Sequence, residues 1–251
     1  MSTDAQPSPS STSWVDGPLL GFDTETTGVY ALSDRLVTAA VVARGPLQAD
    51  GTREETVTTW LANPGVEIPA SASAIHGVTT EQAQTEGRPV IEVLQEVAER
   101  LVAAMEEGIP VVAFNASFDL TIMESELARH GLPTLRERLG RDLGPLADPL
   151  VLDRALDRWR KGKRTLADLA VVYGVNVSDD LHTAEVDVVA TLDVLEAMAR
   201  KHQALSRVRL EELVTWQAQA HRTWAESFNQ WLKSKGRKPD VDPSWPLASK
   251  S

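Results

Sequence analysis

The chain has 251 residues, 42% of them hydrophobic and 24% charged, which is the balance of a globular protein with one ordinary domain plus tails. It has no cysteine, so disulfides and thiolate metal sites are excluded, and no apolar run approaches the roughly 18 residues of a membrane span. A formal net charge of −11 argues against holding nucleic acid through overall basicity. It leaves room for an enzyme that acts on nucleic acid, because acids clustered at a metal site are compensated when cations bind.

Residues 1–16 are polar and rich in Ser and Pro, with neither the basic start nor the apolar stretch of a signal peptide. They read as a disordered tail, and a cytoplasmic location is expected. Residues 19–22 form a short apolar run that predicts a buried strand; 36–42 predicts a second, and 54–61, with alternating Val and Thr, a third. Residues 63–69 read as a loop. The spacing of Val90, Val93, Leu94, Val97, Leu101 and Met105 predicts a helix over 89–107, ended by Gly108. A strand over 111–114 follows. Ser117 is placed as the N-cap of a helix that runs to His130 and stops at Gly131. Residues 149–152 read as a fifth strand, and 165–173, 183–202 and 210–235 as helices. Three strands followed by alternating helix and strand give an α/β layer fold with a mixed sheet. The expected organisation is a tail at 1–16, a domain at 17–202, a helical basic and aromatic extension at 203–238 and a flexible tail at 239–251.

The segment Gly21-Phe22-Asp23-Thr24-Glu25-Thr26-Thr27-Gly28 stands at the end of the first strand. Residues i and i+2 of an extended chain share a face, so Asp23 and Glu25 project side by side, about 6.5–7 Å apart along the backbone. Two such carboxylates repel unless a cation lies between them, and Mg²⁺ prefers oxygen ligands of this kind. Alone, the pair reads equally as a solvated turn. Asn115-Ala116-Ser117-Phe118-Asp119 puts another acid in the first turn of a helix after a buried strand, where Asp119 alone is an ordinary helix-start acid. In His182-Thr183-Ala184-Glu185-Val186-Asp187, positions five apart on a helix differ by about 140° in direction. His182 and Asp187 therefore converge only if His182 lies in the loop before the helix, and His182 alone reads as a surface or capping histidine.

In order and spacing, the three segments resemble the DEDDh (DnaQ-like) 3′→5′ exonuclease family, the group that contains the proofreading epsilon subunit of bacterial DNA polymerase III. The segments 64–69 and 74–79 are also similar to family segments, and the resemblance covers about residues 19–200. It implies a ribonuclease-H-like fold with a five-stranded mixed sheet and two divalent cations, Mg²⁺ or Mn²⁺. Asp23 would bridge the ions, Glu25 and Asp187 would complete one site, and Asp119 would serve the other. His182 would be the general base, suited to it by an unperturbed pKa of about 6.5. Thr24 and Thr26 would bind the terminal nucleotide, Asn115 and Phe118 would shape its pocket, and His76 would lie near the sugar or serve as a structural turn residue. The implied function is release of nucleoside 5′-monophosphates from nucleic-acid 3′ ends, with DNA preferred over RNA. An RNA 3′→5′ exonuclease and a non-catalytic nucleic-acid-binding module are the alternatives.

Outside the motifs, residues 158–164 are basic with one aromatic and read either as a phosphate grip or as a solvated loop. Leu213, Trp216, Ala220, Trp224, Phe228, Trp231 and Leu232 recur at helical spacing. That apolar face is expected to pack on the domain, to dock on a polymerase or repair partner, to pair two copies, or to stack bases. His130, His202 and His221 read as surface residues.

Overall fold

In the computed structural model, which describes residues 13–176 and 183–249, three strands lead: β1 (Leu19–Thr26), β2 (Leu36–Arg44) and β3 (Glu55–Asn63). The short helices α1 (Ala70–His76) and α2 (Thr80–Glu86) follow, then β4 (Arg88–Pro89), α3 (Val90–Glu106), β5 (Val111–Val112) and α4 (Ala116–Arg129). Next come α5 (Leu135–Leu139), β6 (Leu146–Ala147), α6 (Pro149–Leu156), α7 (Leu166–Tyr173), α8 (Ala184–Lys201), α9 (Gln203–Arg207) and α10 (Leu210–Ser234). The strands form one mixed sheet in the order β4-β3-β2-β1-β5-β6. The pairs β1–β2 and β2–β3 are antiparallel, whereas β1–β5, β5–β6 and β3–β4 are parallel. Antiparallel neighbours need only tight turns, and the parallel ones are reached through helical crossovers, so the chain order explains the pairing.

Both sheet faces are covered. Leu20, Phe22, Leu36, Ala39 and Val41 pack with Val97, Leu101, Leu120 and Met123 on one side. Leu19, Ala40, Val42 and Val112 pack with Leu169, Val188, Leu192 and Leu195 on the other. Alternation along β1 and β2 therefore feeds two cores rather than one core and solvent.

The sheet departs from the five-stranded expectation in two places. β4 is an added two-residue strand at the edge, where Pro89 keeps Arg88 out of the helical region and Arg88 pairs with Ala62. Residues 149–152 are helical, not a strand: Asp148 accepts the N–H groups of Leu150 (2.9 Å) and Val151 (3.4 Å), and Pro149 occupies the first helical position. The neighbouring strand is β6, two residues upstream. Nor is Ser117 the N-cap of α4. The helix starts at Ala116, and Asn115 stands at the cap in the left-handed region with φ 62°.

Order also begins earlier than residue 17. Ser13 caps a 3₁₀ turn at Trp14–Asp16, Val15 is buried, and the Trp14 indole donates to the Leu205 carbonyl at 3.2 Å. Residues 1–12 lie outside the described residues. At the other end, residues 239–249 are no loose tail. Trp245 is 8% exposed and donates to Asp148 at 3.3 Å, and the Ala248 N–H donates to Thr121 at 2.9 Å. A tryptophan whose hydrogen-bond partner lies 97 positions away has no periodic signal around it. Helix α10 packs on α6 and β6 through Leu213 and Gln217, both fully buried. No helix among the described residues is long and apolar enough to cross a membrane.

Truncating Trp245 to alanine removes a buried aromatic and a bond to a buried carboxylate. The expected loss is about 3 kcal/mol, the lower end for large aromatic truncations. Urea unfolding of W245A against the parent checks it, and an unchanged midpoint contradicts the packing described.

Candidate catalytic carboxylate site

The site starts from the alternation of β1. Leu20, Phe22, Thr24 and Thr26 point to one face, while Leu19, Gly21, Asp23 and Glu25 point to the face covered by α8. Gly21 sets how close that helix comes. A Cβ there would collide with Val188 Cγ1 and stand 2.9 Å from Leu192 Cδ1. The missing side chain lets the first turns of α8 lie against the strand, and this brings Asp187, one residue before Val188, to Asp23 and Glu25. All three carboxylates are half-buried.

Asp119 arrives from α4 and is 3% exposed. Its Oδ1 accepts the Thr24 backbone N–H at 3.0 Å and the Thr24 hydroxyl at 2.7 Å. The start of α4 is held from outside the helix. Asp148, 1% exposed, accepts the Asn115 N–H at 3.1 Å on one oxygen and the Ala116 N–H at 3.0 Å on the other. The Asp148 N–H in turn donates to Gln217 of α10 at 2.8 Å. Gln217 completes the joint by donating to the Leu146 carbonyl at 2.8 Å. Asn115 tolerates the left-handed backbone that this geometry demands better than most residues do.

The electrostatics follow from crowding acids in a dry place. Burial, then the charges of Asp119, Glu25 and Asp187, hold the Asp23 carboxyl well above its ordinary range. Burial and Asp187 push Glu25 up to about 7. Burial also pushes Asp119 up to about 7, against the pull of the Thr24 hydrogen bonds and with a further push from Asp148. Asp148 itself is raised by burial. The donor set fits hard divalent cations: every ligand is a carboxylate oxygen, and the mutual repulsion is the kind that a cation relieves. Among the described residues, no three acidic or histidine side chains are yet set to hold one ion together. Asp119 is turned to Thr24 instead.

The remaining expected residues divide. Thr26 is buried, and its hydroxyl donates to the Gly28 carbonyl at 2.6 Å. His76 ends α1 next to the Thr26 backbone. Its Nδ1 accepts the Val78 N–H at 3.2 Å, and burial lowers its pKa. Phe118 is half-buried against the core and, with Asn115, lines a groove of about 800 Å³. The facing wall carries Val29 and Tyr30, which are 77% and 72% exposed, and part of 239–249. His182 lies outside the described residues, as do Asp179 and Asp180. Sequence reasoning missed Gly21, Gln217 and Asp148. For Asp148 a signal existed, an aspartate directly before a proline at a helix start.

The exonuclease family RNase_T matches residues 20–195. A PolC-type DNA polymerase III of Streptococcus thermophilus is 30% identical over 170 residues, spanning 68% of this chain and 10% of that protein. A DNA polymerase III subunit epsilon-like protein of Rhodobacter capsulatus is 32% identical over 177 residues, spanning 68% of this chain and 22% of that protein. The chain thus corresponds to a small part of these relatives' length. Among solved structures, the zinc-ion-bound form of E. coli ExoI with single-stranded DNA superposes with a TM-score of 0.61 at 18% identity. It covers 82% of this chain and 43% of that one, a likeness of fold.

Two predictions come from this geometry. Glu25 and Asp119 have ordinary values of 4.5 and 3.8 and native values of about 7, so between those limits the native state holds more protons than the unfolded state. Their contribution to the metal-free protein is fully present below about pH 4 and is lost as pH rises through about 7. His76, lowered by burial, works the other way, so the readout is a difference. In EDTA, Tm is expected to fall from pH 5 to pH 7.5 more steeply for the parent than for Glu25→Gln, and Mg²⁺ is expected to raise Tm more at pH 7.5 than at pH 5. Equal slopes would contradict the cluster. Separately, Gly21→Ala overpacks the strand against α8 and is expected to cost about 1–3 kcal/mol. Because the methyl displaces Asp187, the Mg²⁺-dependent rise in Tm should also shrink, which thermal unfolding with and without Mg²⁺ checks.

Proposed function

Because the chain belongs to the RNase_T exonuclease family, we propose that it is a metal-dependent 3′→5′ exonuclease that removes nucleoside 5′-monophosphates from the 3′ end of single-stranded or frayed DNA. The observation that carries this reading is the convergence of Asp23, Glu25, Asp119 and Asp187 from three elements, close enough for Asp119, Glu25 and Asp187 each to raise Asp23. Structural acids are normally paired with cations. Among the described residues, the charged groups that act on Asp23 are the acids Asp119, Glu25 and Asp187.

These four carboxylates would hold two divalent cations, Mg²⁺ or Mn²⁺. When bound, such a pair activates a water and stabilises the leaving 3′ oxygen of an in-line displacement. His182 would serve as the general base toward the attacking water. Thr24 orients Asp119 through two hydrogen bonds, so its part is to set a ligand as well as to meet the terminal nucleotide. Thr26, with its hydroxyl turned to Gly28, shapes the floor beside His76. The terminal nucleotide lies in the groove between Asn115 and Phe118 on one wall and Val29 and Tyr30 on the other, where exposed apolar side chains meet a base face. The names of the relatives, which are of DNA polymerase III, favour DNA as substrate and a polymerase as partner.

A 5′-labelled single-stranded DNA and an RNA of equal sequence, with Mg²⁺ or Mn²⁺ and an EDTA control, test the reading. The expected result is a metal-dependent ladder shortening from the 3′ end, faster on DNA and absent for Asp23→Ala and Asp187→Ala. His182→Ala is expected to slow turnover by about 10²–10⁴. Faster cutting of RNA would reverse the substrate assignment, and no cutting of either strand would leave a binding module.

A further inference from the structure

We propose that the groove between α6 and α10 is a second, non-catalytic track for single-stranded nucleic acid, stacking bases on Trp159 and Trp231 and pairing phosphates with Arg154 and Arg158. It rests on the nuclease reading only for the class of polymer. The groove has a volume of about 500 Å³, and its lining holds four of the chain's seven tryptophans, three arginines, and no aspartate or glutamate. In a chain of net charge −11, an acid-free aromatic cleft is a local reversal of sign.

Helical spacing on α10 builds a ladder. Trp224 and Phe228 stack with centroids 5.5 Å apart at 14°, and Phe228 and Trp231 at 5.3 Å and 25°. The Arg154 guanidinium lies 3.5 Å over the Trp224 ring, and that of Arg158 lies 5.0 Å from the Trp159 ring. Trp159 is 83% exposed and Trp231 45%, so each leaves ring surface open beyond the side taken by Arg158 or Phe228. The charges are available too. Arg160 and Arg164 turn inward to the fully buried Asp153, whereas Arg154 and Arg158 have no ion pair among the described residues. Of residues 158–164, then, Arg160 and Arg164 are structural and Arg158 and Trp159 remain for a ligand.

Rings alternating with unpaired cations suit a polymer that alternates bases with phosphates, and stacking takes any base. A second copy fits poorly, because a two-fold interface lays a patch on itself and would bring these arginines against their own counterparts. Helix α6 joins the track to the catalytic site: it begins at Asp148, beside Asp119, and its eight residues span about 12 Å.

The test uses the full chain carrying Asp23→Asn, with anisotropy of fluorescein-labelled dT30 and dT5 over a salt series. Trp159→Ala and Trp231→Ala, both at exposed positions, are each expected to weaken dT30 binding about tenfold, within the usual worth of one stacked base. Binding of dT5, short enough for the catalytic groove, should stay unchanged. Arg158→Ala should lower the salt slope for dT30 by about 0.7, the share of one phosphate on a single strand. Unchanged dT30 affinity in all three variants overturns the track, as does a groove variant that alters only the sedimenting mass. In the Asp23-containing protein, absence of cleavage with the dT30 effects intact refutes the nuclease reading and leaves the track standing. Cleavage with unaltered dT30 binding does the reverse.

Discussion

The close approach of α8 to β1 is the constraint on which the site depends. An ordinary strand–helix contact keeps side chains on both partners, but at Gly21 the strand offers none, and Val188 and Leu192 fill the space. That contact is apolar and sits next to the acids. It fixes the height of Asp187 above the strand, and the two-residue period of β1 fixes Asp23 and Glu25 on the same side. Hydrophobic packing thus holds together three carboxylates that would otherwise separate.

Asp148 plays the complementary part on the other edge. Its two oxygens accept from Asn115, Ala116, Leu150, Val151 and Trp245, so one buried acid joins the starts of α4 and α6 to the end of the chain. Five N–H donors keep a carboxylate satisfied where it is almost fully buried. Through Gln217 the same node reaches α10. The C-terminal extension is therefore tied, through two hydrogen-bond steps, to the turn that presents Asp119. Its contribution is positional, although its residues lie far from the motifs in sequence.

What could be read from the sequence follows from the range of the interactions. Asp23 and Glu25 were legible because their geometry is local to a strand. The helices over 89–107 and 210–235 were legible because an apolar face repeats within each, and they match α3 and α10 to within a residue or two. Residues 149–152 misled because four apolar residues suit a strand and a buried helix alike, and only the Asp148-Pro149 start decides. The short helices α1 and α2 have seven residues each, too few to display a period. Gly21, Gln217 and Trp245 act through partners 69 to 171 positions away, as the Gln217–Asp148 and Gly21–Leu192 contacts illustrate, and no window along the chain contains both ends. The histidines at 130, 202 and 221 read from the sequence as surface residues. All three are half-buried, with His202 3.4 Å from the Tyr173 hydroxyl and His221 2.9 Å from the Asp242 carbonyl.

Acids in this protein are distributed by what neutralises them. Asp153 has Arg160 and Arg164, Glu126 has Arg35 and Arg129, and Glu196 has Arg44 and Arg53, so these buried or half-buried acids are matched by cations of the chain itself. Among the described residues Asp23 has no such partner, and Asp119, Glu25 and Asp187 raise it. A fold that pairs Asp153, Glu126 and Glu196 with arginines, satisfies Asp148 with N–H donors, and crowds Asp23 with other acids carries a local electrostatic cost there. Protonation or a cation from solution relieves it, and a cation that binds only the folded state would add to stability. In the α6–α10 cleft the mismatch is reversed, with Arg154 and Arg158 in no ion pair among the described residues. The short helix α6 thus runs from the carboxylate side of the domain, at Asp148, to a cleft lined by arginines and tryptophans.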